Sequence, residues 1–449
     1  MVTKIVVFGM GYVGIPIAAL LADIDGFQVT GIQRRSKRSG WKINVLNQGN
    51  SPFKGKEPGL DDLIAKVVKK RSFSVTDDSS VTKNADYILI DVQTPTDSSH
   101  IPQYESLRTV SAQVGKFLKK GSTIIIESTV APGTTENVVR PIIEEYSEMI
   151  AGEDFHLAFS YERVMPGKLL DFIVNMPRVV GGLTPICVEK AVWLYEKVVT
   201  KEISTTSCLA AELAKTIENS YRDINIAFAN EMALVCESLK VNIYEIIELI
   251  NKRHDRFMHY PGAGVGGHCL PKDPWLLRYG VQTYGREFIE PEFISLGRKI
   301  NNHMPIHLAG LAVSALEAKG FKLLSKAKIT ILGVAYLENS DDTRNTPALP
   351  LIRYLHSLGA KVIAHDPYVN PKLFEEWPVE NNLEKALEKS DCAIIVTKHT
   401  EYYKLNFPKL KKIMNTPILI DGRNVYDAKD VKHYGFLYNG IGKKRDFQS

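Results

Sequence analysis

Three glycines in the order Gly9-Met10-Gly11-Tyr12-Val13-Gly14 follow a β-branched run at residues 4–8 and open an apolar helical pattern. Strand, tight glycine turn and helix in that order are what the first βαβ unit of a parallel sheet requires. Gly9 permits the turn, Gly11 lets backbone approach a pyrophosphate, and Gly14 allows the helix to pack closely on the strand. The N–H groups at the helix start then form an anion site, with Tyr12 and Val13 completing the loop around a dinucleotide. Residues 5–22 carry no charge and follow Lys4, so a signal anchor is the competing reading. Gly9, Gly11, Gly14 and Pro16 suit strand, turn and helix better than one membrane span, and no other stretch approaches spanning length. The expectation is a cytoplasmic protein that does not enter a membrane.

The fingerprint lacks one element. The second strand pattern, residues 28–32, should lead into Asp or Glu to hold the adenosine ribose hydroxyls, and Gln33-Arg34-Arg35 stands there instead. Gln33 can still hydrogen-bond a ribose, while Arg34 or Arg35 could meet a 2′-phosphate. NAD is the expected cofactor with NADP left open, and simply solvated arginines fit the residues equally well.

The 449 residues are 44% hydrophobic and 24% charged, enough for two or three domains with their own cores. A formal charge of +5 suits anionic small molecules. No long basic run supports a nucleic-acid partner, and Lys443-Lys444-Arg445 reads as a solvated tail. Cys187, Cys208, Cys236, Cys269 and Cys392 are odd in number and never in CxxC spacing, which argues against a disulfide framework or a zinc site and for a reducing compartment.

Further strands are expected at 87–92 and 122–127, and a second set at 328–334, 361–365, 392–396 and 417–420, with an amphipathic helix at 347–358. Strands alternating with helices mean parallel sheets. Between the sets, residues 208–250 keep helical spacing with few breakers and predict one long central helix. The expected fold class is therefore α/β, two Rossmann-like doubly wound domains joined by a central helical segment. The expected divisions are 1–205, 206–310 and 311–449.

A second candidate site lies at Gly262-Ala263-Gly264-Val265-Gly266-Gly267-His268-Cys269-Leu270-Pro271-Lys272-Asp273. Four glycines before a cysteine imply close approach of backbone to a ligand, and His268 and Lys272 would favour a thiolate. The other cysteines lack such a setting and read as structural. A dinucleotide site together with a nucleophilic thiol points to oxidation of an alcohol through to an acid. The thiol captures the aldehyde as a thiohemiacetal, which loses a second hydride to give a thioester that water cleaves.

With these residues in view, the chain resembles the UDP-glucose/GDP-mannose dehydrogenase family along nearly its whole length. The matching segments are 9–14, Val92-Gln93-Thr94-Pro95-Thr96, Glu127-Ser128-Thr129-Val130-Ala131-Pro132-Gly133-Thr134-Thr135, Ala211-Glu212-Leu213-Ala214-Lys215 with Asn219, 262–273, Asp341-Asp342-Thr343-Arg344 and Asp421-Gly422-Arg423-Asn424. Gly266-Gly267-His268-Cys269 and Tyr161-Glu162-Arg163 look more like the branch that acts on UDP-N-acetylhexosamines than the UDP-glucose branch, which usually has Ser before the Cys and Phe-Leu after the Glu. The resemblance implies two-step oxidation of C6 to a uronic acid with two NAD, in the service of surface glycans. It implies Cys269 as nucleophile, Lys215 and Asn219 as oxyanion donors, Asp273 as a holder of water or proton, and Glu162 as activator of the hydrolytic water. Spacing by four on a helix puts Lys215 and Asn219 on one face, in keeping with that pair of roles.

Thr94, Thr129 and Arg344 are implied as cofactor contacts. Arg163, Tyr260, Gly264, Gly266, Tyr336 and Arg423 are implied as contacts to the UDP-sugar, and arginine suits diphosphate because its fork binds two oxygens. Arg256 matches an arginine that reaches into a neighbouring subunit, which implies a homodimer or larger oligomer, although its spacing to Cys269 is one residue short of the family pattern. The family usually has Lys where Leu337 stands, so one substrate contact is missing. A UDP-glucose dehydrogenase, a two-electron hydroxyacid-type dehydrogenase with Lys215 as base, and a nucleotide-binding protein without catalysis are the rival readings.

Overall fold

The computed structural model describes residues 2–37, 39–53, 55, 57–372 and 374–444. They form two compact units, 1–219 with 272–290 and 220–271 with 291–449.

The first unit is built on a sheet of β1 (Thr3–Phe8), β2 (Phe27–Ile32), β3 (Phe73–Thr76), β4 (Tyr87–Ile90), β5 (Thr123–Ile126), β6 (His156–Phe159), β7 (Arg178–Gly182) and β8 (Ile203–Ser207). Their order is β3-β2-β1-β4-β5-β6-β7-β8, parallel except where β6 meets β7. Every residue of β4 and β5 is buried, which is why these strands read as unbroken apolar runs and not as alternating ones. The charge-free stretch that could pass for an anchor divides into β1, the glycine turn and a ten-residue helix, Gly14–Asp23, whose Ile15, Ile17, Ala18 and Leu21 pack into the core. Among the described residues no helix is long and apolar enough to cross a membrane.

The second unit carries an all-parallel sheet of β9 (Lys328–Leu332), β10 (Lys361–His365), β11 (Val379–Glu380), β12 (Cys392–Ile395), β13 (Ile418–Asp421) and β14 (Leu437–Gly440), in the order β11-β10-β9-β12-β13-β14. Six strands of each sheet thus repeat one doubly wound order, 3-2-1-4-5-6, as the fold class requires. Several strands end one or two residues before the sequence pattern does, because the last apolar residues belong to the βα turns. The helix expected at 347–358 is Ala348–Ser357.

The expected single helix over 208–250 is two. Cys208–Ser238 ends where Lys240 turns left-handed at φ +57, and Asn242 then caps Ile243–Asn251 by accepting from Tyr244 N. The unit boundary falls inside the longer helix, between Asn219 and Ser220. A second long helix, Glu292–Ala318, was not expected from the sequence. Its Arg298 and Asn301 side chains donate to Asp223 Oδ1 at 2.7 and 2.8 Å, and Asn301 accepts from Asn230 at 2.8 Å, so buried polar pairs register it on Cys208–Ser238.

The tail reading of Lys443 is also corrected. Lys443 is buried, with Nζ donating to Tyr438 Oη at 2.6 Å and Tyr426 O at 2.8 Å, and burial lowers its pKa. Two good acceptors inside the second unit hold the ammonium there and offset part of its desolvation. Lys444 is exposed, and Arg445 lies outside the described residues.

Candidate active site

The glycine turn of the first unit has the geometry that a dinucleotide needs. Gly9 sits at φ +101, and a Cβ there would stand 2.2 Å from Asp91 O. At Gly14 a Cβ would stand 1.9 Å from Gly9 O, so only glycine lets the helix start this close to the strand end. Around Gly11 there is nothing within 4 Å, which leaves the open side through which a pyrophosphate can reach backbone N–H groups. Tyr12 stacks on Phe53 at 4.4 Å, and Val13 leads into the helix. Thr94 Oγ1 donates to Thr129 O at 2.6 Å, which brings both expected cofactor threonines together at the ends of neighbouring strands. Gln33 turns inward: Oε1 accepts from Met10 N at 3.3 Å and Nε2 donates to Ser39 Oγ at 3.0 Å. Arg34 is exposed.

Four of the expected catalytic residues lie in the same unit and join in two pairs. Lys215 Nζ donates to Glu162 O at 2.8 Å, and one helical turn on Asn219 Nδ2 donates to Asp273 Oδ2 at 2.6 Å. Lys215 and Asn219 are both buried, so the face they share is turned inward. Asp273 opens the helix Asp273–Tyr284, and its Oδ1 is 2.8 Å from Lys272 Nζ.

The Glu162 carboxylate is not open to solvent but paired with Arg178, which also grips Glu127. Tyr195 Oη donates to Glu127 Oε1 at 2.6 Å and its ring lies 3.6 Å below the Arg178 guanidinium. Asp91 is buried beside Glu127, and burial together with that neighbouring carboxylate raises its pKa well above the ordinary value. Burial likewise raises Glu162. Glu212 accepts from Gly133 N, Thr135 N and Thr135 Oγ1 at 2.6, 2.8 and 2.7 Å, and burial raises its pKa to about 7. Arg178, Tyr195, Asp91 and Glu212 were missed as functional candidates. The signals were a lone Arg opening the apolar run Val179-Val180-Gly181-Gly182 and the place of Glu212 in the segment Ala211–Lys215. Arg163, expected on the sugar, donates within the unit to Glu218 Oε2 and Tyr161 Oη, both at 2.9 Å.

In the second unit the glycine stretch is cradled by two expected substrate residues. Arg423 Nε donates to Val396 O at 2.7 Å and Nη2 to Gly264 O at 3.2 Å, and a Cβ on Gly262 would stand 2.3 Å from Nη1. Tyr336 fills the space where Cβ atoms of Gly266 and Gly267 would be, its Cβ 2.6 Å from the first and its ring 2.7 Å from the second. Gly267 N donates to Arg344 O at 2.8 Å, while the Arg344 side chain pairs with Asp342. Cys269 follows this cradle and is exposed, whereas Cys187, Cys208 and Cys392 are buried, and burial raises the pKa of Cys208 and Cys392. Tyr260 and Arg256 are also exposed, with Arg256 paired to Asp255.

Comparison with known proteins agrees with this division of labour. The NAD-binding domain of the UDP-glucose/GDP-mannose dehydrogenase family matches residues 3–199, the central domain of that family matches 209–303 and its UDP-binding domain matches 330–428. The UDP-N-acetyl-D-mannosamine dehydrogenase of Pyrococcus horikoshii is 37% identical over 441 residues, covering 98% of this chain and 99% of that protein. A solved structure of the Pyrococcus horikoshii UDP-D-ManNAc dehydrogenase superposes with a TM-score of 0.89, covering 98% of this chain and all of the other. The crystal structure of an NDP-N-acetyl-D-galactosaminuronic acid dehydrogenase from Methanosarcina mazei Go1 is 41% identical with a TM-score of 0.86, covering 99% of this chain and 96% of that one. The chain belongs to the UDP-glucose/GDP-mannose dehydrogenase family and is an NAD-dependent nucleotide-sugar dehydrogenase.

Proposed function

We propose that this enzyme oxidises C6 of a UDP-N-acetylhexosamine to the uronic acid through Cys269. The balanced reaction is one primary alcohol, two NAD and one water giving one carboxylic acid, two NADH and two protons. The observation that carries the reading is the exposed Cys269 thiol directly after a glycine cradle packed on Tyr336 and Arg423, in the unit whose sheet is matched by the UDP-binding model. Relatives named for N-acetylated sugars at 37% and 41% identity support the substrate class.

Bound at the Gly9–Gly14 turn, the dinucleotide supplies hydride acceptance in each oxidation. Cys269 contributes a thiolate that adds to the aldehyde carbon, forming a C–S bond and an alkoxide. Lys215 and Asn219 are assigned as donors to that oxygen, a role supported by the N–H groups they direct at Glu162 O and Asp273 Oδ2 within their own unit. After the second oxidation water adds to the thioester carbonyl and the C–S bond breaks, returning the thiol. Asp273 takes the water's proton, and Glu162, clamped by Arg178, sets the local field. In this reading 1–205 is the NAD-binding domain, 206–310 the central helical domain with the Cys269 loop and 311–449 the UDP-sugar-binding domain. A homodimer through Cys208–Ser238 would cover its exposed Tyr221, Phe228 and Val235, which recur every seven residues. Five thiols without a disulfide suit the cytoplasm.

The test is NADH production with UDP-ManNAc, UDP-GlcNAc, UDP-GalNAc and UDP-glucose in turn. At least a tenfold preference in kcat/KM for an N-acetylated sugar is expected, and equal or better use of UDP-glucose would refute the assignment.

A further inference from the structure

We propose that the loop after β2 is a phosphomonoester site through which this enzyme also takes NADP, the 2′-phosphorylated dinucleotide. The proposal rests on the assignment of the Gly9–Gly14 turn as the cofactor loop.

The loop lies where a dinucleotide fold reads the adenosine ribose. Phe8 of β1 pairs in register with Ile32 of β2, and Gly9 N donates to Ile32 O at 2.9 Å, so residue 33 begins beside the pyrophosphate turn. A carboxylate at this position binds a free 2′-hydroxyl and repels a 2′-phosphate. Gln33 has no charge to repel one. Residues 33–42, Gln-Arg-Arg-Ser-Lys-Arg-Ser-Gly-Trp-Lys, hold no Asp or Glu at all.

The loop is also built and not merely basic. Gln33 Nε2 donates to Arg34 O and Ser39 Oγ, its Oε1 accepts from Met10 N, and Lys42 Nζ donates to Met10 O at 2.9 Å. These bonds fold the loop back onto the glycine turn. Within it, Ser36 Oγ and Ser39 Oγ are 2.9 Å apart, Ser39 N donates to Ser36 Oγ at 3.1 Å, and Gly40 N donates to Ser36 O at 2.8 Å. Two hydroxyls are thus presented together at the head of a tight turn.

The charges sort by their partners. Arg35 is paired with Asp77 at 2.6 Å and is neutralised there, and Asp78 caps its own turn through Ser80. Arg34 is exposed, and its guanidinium has no partner among the described residues. Lys37, three residues further along the same loop, is exposed as well. Arg34 with its two-pronged fork, Lys37 and the serine hydroxyls supply the donors that a dianionic phosphate requires.

Calorimetric titration of the full-length protein with 5′-AMP and with adenosine 2′,5′-bisphosphate isolates the ribose end of the site from catalysis. The bisphosphate is expected to bind at least tenfold tighter at low salt, with the gap narrowing as salt screens an exposed site. Arg34→Glu is expected to reverse that preference, and Gln33→Asp to abolish it. Equal or tighter binding of 5′-AMP by the unaltered protein overturns the proposal and leaves the cofactor-loop assignment standing. Failure of both nucleotides and of NADH to bind overturns the assignment itself, and the proposal with it.

Discussion

Two glycines of the cofactor turn, neither of them a catalytic residue, separate folding from binding in a way that can be measured. At Gly14 an added methyl would stand 1.9 Å from Gly9 O, closer than real side-chain carbons approach, so strand end or helix must yield. Overpacking of a rigid contact costs about 1–3 kcal/mol, which for a unit of this size lowers Tm by roughly 3–10 °C. At Gly11 the methyl meets nothing within 4 Å and the backbone is not left-handed, so Gly11→Ala should melt within about 2 °C of the unaltered protein. It would, however, occupy the open side kept for the pyrophosphate. Loss of one charge-assisted N–H contact, about 1.5–3 kcal/mol, weakens NADH binding roughly 10- to 100-fold. Thermal unfolding by circular dichroism and fluorescence titration with NADH read the two effects separately. Unaltered NADH affinity in Gly11→Ala, or an unaltered Tm in Gly14→Ala, would refute the reasoning about this turn.

Arg178→Met removes the guanidinium that Glu127 and Glu162 share and should cost about 3–5 kcal/mol in urea unfolding, because it strands buried carboxylates; a loss below about 1 kcal/mol would contradict that dependence. Glu212, at about 7 against an ordinary 4.5, keeps in the folded state a proton that the unfolded chain gives up. Its contribution is therefore full below pH 4.5 and fades as pH rises to about 7, by roughly 3 kcal/mol in all, so the stability of Glu212→Gln should fall less steeply across that window. Parallel pH–stability curves for the two proteins would count against it. Cys269→Ala should lower kcat by about a thousandfold or more with Tm unchanged, since the thiol is exposed and carries the covalent chemistry; retained turnover would favour a two-electron enzyme with Lys215 as base.

Much of this architecture is legible in the sequence because parallel strands buried on both faces announce themselves as continuous β-branched runs. The glycine turn is legible for a related reason: its three positions serve backbone geometry that no other residue satisfies. What escaped obeyed longer-range physics. The helical spacing over 208–250 hid a break because the helix after Asn242 resumes the same apolar rhythm, and only the left-handed Lys240 and the Asn242 cap interrupt it. Glu292–Ala318 was obscured by Pro305 and by polar Arg298 and Asn301, whose burial depends on Asp223, more than seventy residues away. Charged residues default to the surface in a sequence reading, so Arg178 clamping Glu127 and Glu162, and Lys443 bound by Tyr426 and Tyr438, came to light only once the sheets were assembled. The candidate site divided along the same line. Cys269 was named from its glycine context and Lys215 and Asn219 from the family resemblance, whereas the partners that orient Glu162 were not.

The most direct measurement is the absorbance at 340 nm produced by a limiting, weighed amount of UDP-N-acetylhexosamine in excess NAD, run to completion. Two NADH per sugar, with a uronic acid as product, is the expected result for oxidation through a Cys269 thioester. One NADH per sugar would mean that oxidation stops at the aldehyde, and would contradict the role given to Cys269.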